Sequence, residues 1–204
     1  MRNALSLIAA ILLTPAMLLA QDAPDAESPA SVESVWAAQL GDDTASIALG
    51  LAVDNEGAIY ISGWTEGPIA PDQTHAGKAD AFLAKVSSDG ETVWIKQFGT
   101  PTIDLAMRVW VQGDTLYAAG TSGDALFGAH VAHHATCSCE VANLWLAAFD
   151  LDGTALWSTQ FGVASHLSVE GLVVDDDDNA YMIGVVWESM PGSEHKGAKD
   201  MFVI

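Results

Sequence analysis

The sequence predicts an all-β protein. It should be made of β-propeller-like blades of four antiparallel strands, two complete and others partial, in a ring that this chain does not close alone. Three observations carry that expectation. The phrase W-x-x-Q-[LF]-G occurs three times, at residues 36–41, 94–99 and 157–162. Twelve residues after each of those glycines a second phrase begins, and its copies all end Tyr-x-x-Gly, from Tyr60, Tyr117 and Tyr181. A third phrase places an aromatic residue twelve positions before the closing Trp, as Phe82 before Trp94 and Trp145 before Trp157, and opens once more at Phe202. Ordered self-similarity at a period of 57 and then 64 residues is the mark of a repeat architecture, each unit one supersecondary element.

Taken in order, the first twenty residues set Arg2 before an apolar run from Ala4 to Leu13, then Pro15 and a small-residue exit at Ala20. That is the pattern of a secretory signal, too short and one-ended for a membrane span. Residues 21–34, rich in Asp, Ala, Pro, Ser and Glu, read as a flexible acidic leader. Residues 35–204 then form one repeat domain. It opens with a lone strand at 35–40 that has no blade of its own. Blades follow near 47–98, 106–161 and, incomplete, 169–204. In the first blade the strands should fall at 47–53, 58–63, 81–86 and 92–98, where Val, Ile, Ala and aromatics partly alternate between Gly, Asp and Asn punctuation. Asp89-Gly90 and Asp152-Gly153 mark hairpins in which a tight turn demands a positive φ. Beyond the first twenty residues no stretch has a helical period. Propellers close with at least about four blades, so further residues beyond Ile204 are expected, with the lone strand clasping the last blade.

These units resemble a bacterial β-propeller repeat, the SBBP type, found in exported proteins. Its pattern runs from a Trp strand ending Phe-Gly through Val-Asp-x-x-Gly-x-x-Tyr-x-x-Gly to Asp-Ala-Phe-x-x-Lys and Asp-Gly. The first copy carries nearly all of it, in Val53-Asp54, Gly57, Tyr60, Gly63, Asp80-Ala81-Phe82, Lys85 and Asp89-Gly90. The second copy departs, with Gln112 for the Asp, Asn143-Leu144-Trp145 for Asp-Ala-Phe and Ala148 for the Lys. In the third, Asp178-Asn179 stand where the first has Gly57-Ala58. The resemblance implies a propeller fold and export, and it says little about activity, because propellers host many functions.

Charge and motifs narrow the function. The chain has 27 acidic and 7 basic residues, a net charge of −20, and such a surface repels phosphate backbones, so nucleic acid is not an expected partner. No nucleophile elbow, H-E-x-x-H, phosphate loop or dinucleotide fingerprint is present, and catalysis is not the expected role. The reading is an exported, non-catalytic binding or cell-surface module, without a membrane span after signal cleavage, whose ligand is a protein or a carbohydrate. A quinoprotein-like dehydrogenase is the alternative, since Asp-Gly-x-x-x-Trp before a Gly also resembles that class. Its blades are nearer forty residues, however, and its acidic cofactor needs more bases than these.

The most unusual stretch lies between the second and third strands of the second copy, as roughly a six-residue insertion. It holds His130, His133, His134, Cys137 and Cys139, donors suited to zinc or copper, in a spacing that matches no standard zinc signature. A metal-handling protein, a disulfide or a plain solvated loop are the readings open to it. Asp175 to Asp178 offer oxygens that calcium accepts, although they occupy the same turn as Asp54 to Gly57. The recurring aromatics at Trp36, Trp94, Trp157, Phe82, Trp145 and Phe202 are expected to pack blades. His75, His166 and His195 carry no assignment.

Overall fold

The structure, a computed structural model, describes residues 36–41, 43–127, 143–162, 166–187, 190, 192–194 and 196–204. It divides into two units, residues 1–39 and 40–204. Of the first unit only Trp36 to Gln39 are described, and they adopt no strand. Here the structure departs from the expected lone strand at 35–40: residues 36–41 carry no assigned secondary structure. A strand exists through its ladder, and no strand among the described residues pairs with this segment. The signal and leader assigned to 1–34 lie outside the described residues.

The second unit is all-β among its described residues. Strands β1 (Ser46–Val53), β2 (Ile59–Thr65), β3 (Asp80–Val86) and β4 (Thr92–Phe98) form one antiparallel sheet in sequence order. β5 (Asp104–Gln112), β6 (Thr115–Ser122), β7 (Asn143–Asp150) and β8 (Ala155–Gly162) form a second, and β9 (Leu167–Val174), β10 (Ala180–Val186) and β11 (Asp200–Val203) a third. These are separate antiparallel meanders, two of four strands and one of three, propeller-like blades rather than one closed barrel.

The turns explain much of the repeat. Gly90 and Gly153 sit at φ +85° and +79° in the β3–β4 and β7–β8 hairpins, a backbone that glycine adopts without a Cβ penalty. In the β1–β2 turn Asp54 Oδ1 accepts the amides of Glu56 and Ala58, and Asp175 Oδ1 does the same for Asp177 and Asn179 in the β9–β10 turn. Tyr60 and Tyr181 donate their hydroxyls to the second oxygens of those carboxylates, at 3.1 and 3.0 Å. The second copy has Gln112 at this position, and Tyr117 turns instead to Asp178 of the third sheet at 3.4 Å. Asp178 holds φ +62° where the first copy has Gly57 at +84°.

The glycine of Tyr-x-x-Gly is a packing requirement. A Cβ at Gly63, Gly120 or Gly184 would collide with a carbonyl of the neighbouring strand, at Ile47, Leu105 and Ser168, and with the ring of Phe82, Trp145 or Phe202. Those rings lie directly across the ladder, in the pairs Gly63–Phe82, Gly120–Trp145 and Gly184–Phe202. Glycine and aromatic residue are thus two halves of one contact, repeated three times.

The sheets pack on one another through two apolar layers. Tyr60, Ala81 and Leu83 of the first sheet meet Val109, Leu116 and Trp145 of the second. Tyr117, Leu144 and Leu146 on the opposite side of the second meet Val169, Leu172 and Met182 of the third. β7 is buried between these two layers, and β3 between the second sheet and a cluster with Leu40, Ile61, Ile69 and Ile95, which is why both read as apolar runs instead of alternating. The first strands of the three sheets are neighbours: β5 lies against both β1 and β9. Each carries a bulge at the same repeat position, at Leu49, Met107 and Glu170.

Candidate functional site

The polar groups with the most unusual surroundings gather where the first sheet hands over to the second. Residues 99–103 run from the end of β4 to the start of β5, beside the long connection between β2 and β3. The two segments join by the bridge Ala79–Ile103, with the Asp104 amide donating to Ala79 O at 2.8 Å and the Lys78 amide to Thr102 O at 3.0 Å. Gly77 is required here, because a Cβ would strike the backbone of Thr100 and Thr102.

Two fully buried carboxylates anchor this junction, Asp80 at the head of β3 and Asp104 at the head of β5. Asp80 accepts the amides of Ala76 at 2.7 Å and Gly77 at 3.1 Å, and the side-chain amide of Gln97 at 2.9 Å. Asp104 accepts the Thr100 amide and hydroxyl, at 2.6 and 2.8 Å, and the Ser122 hydroxyl. Burial pushes the Asp104 carboxyl above the ordinary range; the Ser122 and Thr100 donors pull it back, and the nearby Asp80 charge adds to the rise. Each carboxylate is committed to holding a loop, which is how a buried charge becomes tolerable.

Gln97 explains the glutamine of W-x-x-Q. It faces back across the β2–β3 connection, accepting the Ile69 amide at 2.9 Å while donating to Gly67 O at 3.2 Å and to Asp80. Gln160 repeats the device in the second sheet, accepting the Leu126 amide at 3.0 Å and donating to Asp124 O at 2.7 Å. Neither glutamine nor Asp104 was assigned a role from sequence. The recurrence of Gln in the phrase was the signal for the first; Asp104 has no counterpart in the other copies, where Ser46 and Leu167 occupy its place in the register.

At the opposite end of the sheets, the repeat's lysine and tryptophan clamp the next blade. Lys85 Nζ and Trp94 Nε1 both donate to Leu151 O in the β7–β8 turn, at 3.3 and 3.1 Å, and the ammonium lies 5.2 Å from the Tyr60 ring centre. The Tyr60 hydroxyl holds Lys85 above its ordinary pKa, while burial raises that of Tyr60 itself. Burial also pushes Asp54 upward, but the donors at Ala58, Tyr60 and Glu56 outweigh it and leave its carboxyl below the ordinary value. Asp175 is likewise lowered, chiefly by the Asn179 side chain. Both oxygens of Asp175 are thereby engaged by the turn and by Tyr181.

A third feature sits on the inner strands. Arg108, next to the β5 bulge, donates through Nε to Glu170 O at 2.8 Å and through its terminal nitrogens to Met107 O at 2.7 Å, Leu49 O at 3.4 Å and the Glu170 carboxylate at 3.1 Å. One guanidinium thus touches the bulge of every inner strand. Finally, a cleft of about 640 Å³ opens beside β11, with Lys196, Lys199, Glu194 and Met190 among its lining.

His130, His133, His134, Cys137 and Cys139 lie outside the described residues, in the segment joining β6 to β7. Among the described residues no group of three or more His, Cys, Asp or Glu is placed to hold a metal. His75 stands 3.9 Å from Asp80 with its Nε2 buried and without a hydrogen-bond partner. His166 packs edge-on against Trp187, whose face Lys199 covers at 4.5 Å. The aromatics act in packing as expected: Trp145 is fully buried, Phe82 and Phe202 nearly so, and Trp94 leans on Tyr60. Trp157 contacts Tyr117 edge-on but stays 45% exposed.

Residues 35–70, from the first Trp phrase through β1 and β2, match the family model of the SBBP beta-propeller repeat. No curated protein matches the chain.

Proposed function

Starting from a chain that carries the SBBP beta-propeller repeat, we propose that it is an exported, non-catalytic binding module that presents the connections between its strands to a protein or carbohydrate ligand. The observation that supports this reading is how the carboxylates of the connections are used. The buried Asp80 and Asp104 and the partly exposed Asp54 and Asp175 each accept two or more donors from turns and loops of their own fold. They rigidify connections, and a rigid scaffold carrying variable loops is the usual basis of recognition. Export rests on the charged start, apolar run and small-residue exit of the first twenty residues.

The test immobilises the chain and titrates a panel of polysaccharides and exported proteins. Saturable binding to a member of the panel supports the module. Quinone-dependent turnover of alcohols or sugars after loading with a quinone cofactor would overturn it in favour of a dehydrogenase. A metal-handling role for His130, His133, His134, Cys137 and Cys139 is a second reading, supported by their donor chemistry. Zinc or copper content measured before and after Cys137→Ser/Cys139→Ser decides it: unchanged content sinks it.

A further inference from the structure

Two turns at matching places in the first and second sheets share the same hydrogen bonds, except for the group that closes each set. In the first, Thr65 Oγ1 accepts the Gly67 amide at 3.3 Å and donates to Gly67 O at 3.0 Å, and Gln97 donates to that carbonyl as well. In the second, Ser122 Oγ accepts the Asp124 amide at 3.1 Å and donates to Asp124 O at 2.7 Å, with Gln160 donating to the same carbonyl. Across the ladder from Thr65 stands Ser46, and across from Ser122 stands Asp104. Ser46 completes its set by donating its hydroxyl to Thr65 Oγ1 at 2.9 Å.

Asp104 can do the same only if it carries a proton. A hydroxyl has one hydrogen. That of Ser122 has two claimants, Asp124 O and Asp104 Oδ1, and the Thr65 pattern gives it to the carbonyl. Asp104 Oδ1, fully buried, then faces a lone pair and needs a hydrogen of its own. Oδ2 already accepts the Thr100 amide and hydroxyl, which leaves Oδ1 as the place for it. Burial pushes Asp104 upward by more than its donors pull it down, and the charge of Asp80 adds to the rise. Asp80 is the titratable group that β3 brings to this end, and the β2–β3 connection carries Glu66, Asp72, Lys78 and His75, the last 3.9 Å from Asp80. β1 has no titratable group, and β2 and β6 have only Tyr60 and Tyr117. β9 brings Glu170 in its pair with Arg108 of β5, and the segment after β6 brings Asp124, whose carboxylate accepts the Ala125 amide.

We propose that Asp104 stands in the folded chain as the neutral acid, its Oδ1 proton doing for Ser122 what the Ser46 hydroxyl does for Thr65, and that loss of this proton is a pH-sensitive release of the connection leaving β6. Once ionised, Oδ1 draws the Ser122 hydrogen to itself, since a bond to a charged oxygen is the stronger one. Asp124 O then loses a donor, and the turn from Ser122 to Asp124 is held less firmly. Its counterpart at Thr65 is closed by a hydroxyl and does not respond.

Nuclear magnetic resonance of the chain, labelled at its aspartate carboxyls and backbone amides, reads both parts across a pH series. The Asp104 carboxyl carbon, assigned by its absence in Asp104→Asn, should keep the shift of an acid where Asp54 and Asp175, which stand below the ordinary value, have become carboxylates. As Asp104 titrates, exchange of the Asp124 and Leu126 amides should accelerate by about fivefold, the loss of one neutral hydrogen bond, relative to the Gly67 and Ile69 amides. Asp104→Ser should remove that pH dependence, because a hydroxyl then stands where Ser46 does in the first sheet. The comparison of Asp124 with Gly67 is made within the unaltered chain, so it stands even where a variant fails to fold. An Asp104 carboxyl that ionises together with Asp54 and Asp175, Asp124 protection that follows Gly67 at every pH, or a pH dependence that survives in Asp104→Ser overturns the proposal.

Discussion

Removing the glutamine of the Trp phrase separates structural from decorative polarity. In Gln97→Ala, the Ile69 amide loses its acceptor, Gly67 O loses a donor and the buried Asp80 loses one of its three. Neutral bonds contribute about 1 kcal/mol each and a bond to a carboxylate about 2, for roughly 4 in all. Gln97 is half-buried, so water recovers part of this, and about 3 kcal/mol should be lost. Gln160→Ala removes only two neutral bonds and should cost about 2. Glutamate sharpens the comparison. Gln97→Glu keeps the acceptor for Ile69 but turns the group facing Asp80 from donor to carboxylate, so at pH 7 it should be less stable than Gln97→Ala. Below about pH 4 the new carboxyl takes a proton and regains a donor, and the deficit should shrink. Gln160→Glu has no carboxylate opposite and should show little of this pH dependence. Urea unfolding followed by Trp fluorescence at pH 7 and pH 4 reads all four variants. If Gln97→Glu matches wild type at neutral pH, or both glutamates behave alike, the loop clip is not the role of this residue.

Other perturbations test the remaining pieces. Gly57→Ala, at φ +84°, should cost about 1–2 kcal/mol, whereas Gly57→Asp should cost less, because Asp178 already adopts φ +62° at that place in the third copy; paired thermal melts compare them. Asp104 has its carboxyl raised above the unfolded value of about 3.9, so the folded chain binds that proton more tightly. Its favourable contribution is full below the unfolded value and is lost as pH rises through the folded one. Relative to Asp104→Asn, wild type should therefore gain stability as the pH is lowered, and a constant difference across pH would refute the assignment. Arg108→Met should lose about 1–2 kcal/mol through the carbonyl bonds to Glu170, Leu49 and Met107. That loss should be nearly insensitive to salt, because the Glu170 ion pair is exposed and contributes little.

Sequence periodicity alone determined the fold class, because each repeat element is a local requirement. A hairpin needs Asp-Gly wherever its backbone turns through positive φ, and Gly90 and Gly153 do so. Strands expected at 47–53, 58–63, 81–86 and 92–98 are found at Ser46–Val53, Ile59–Thr65, Asp80–Val86 and Thr92–Phe98, within two residues at every end. The segment at 36–41 shows the limit of that logic. It has the same local pattern as β4 and β8 yet forms no strand, since pairing is a property of two segments and pattern belongs to one. The Tyr-x-x-Gly glycine falls at the end of an expected strand, and only the structure shows it as the seat of an aromatic ring from the neighbouring strand. What only the tertiary structure decided is which polar groups meet across long separations. Gln97 with Ile69 and Arg108 with Glu170 come together through loop crossing and sheet stacking. No spacing rule connects residues 28 and 62 positions apart. Burial makes the hydrogen bonds of Asp104 obligatory, because a carboxylate withdrawn from water must be satisfied by whatever donors the fold brings to it.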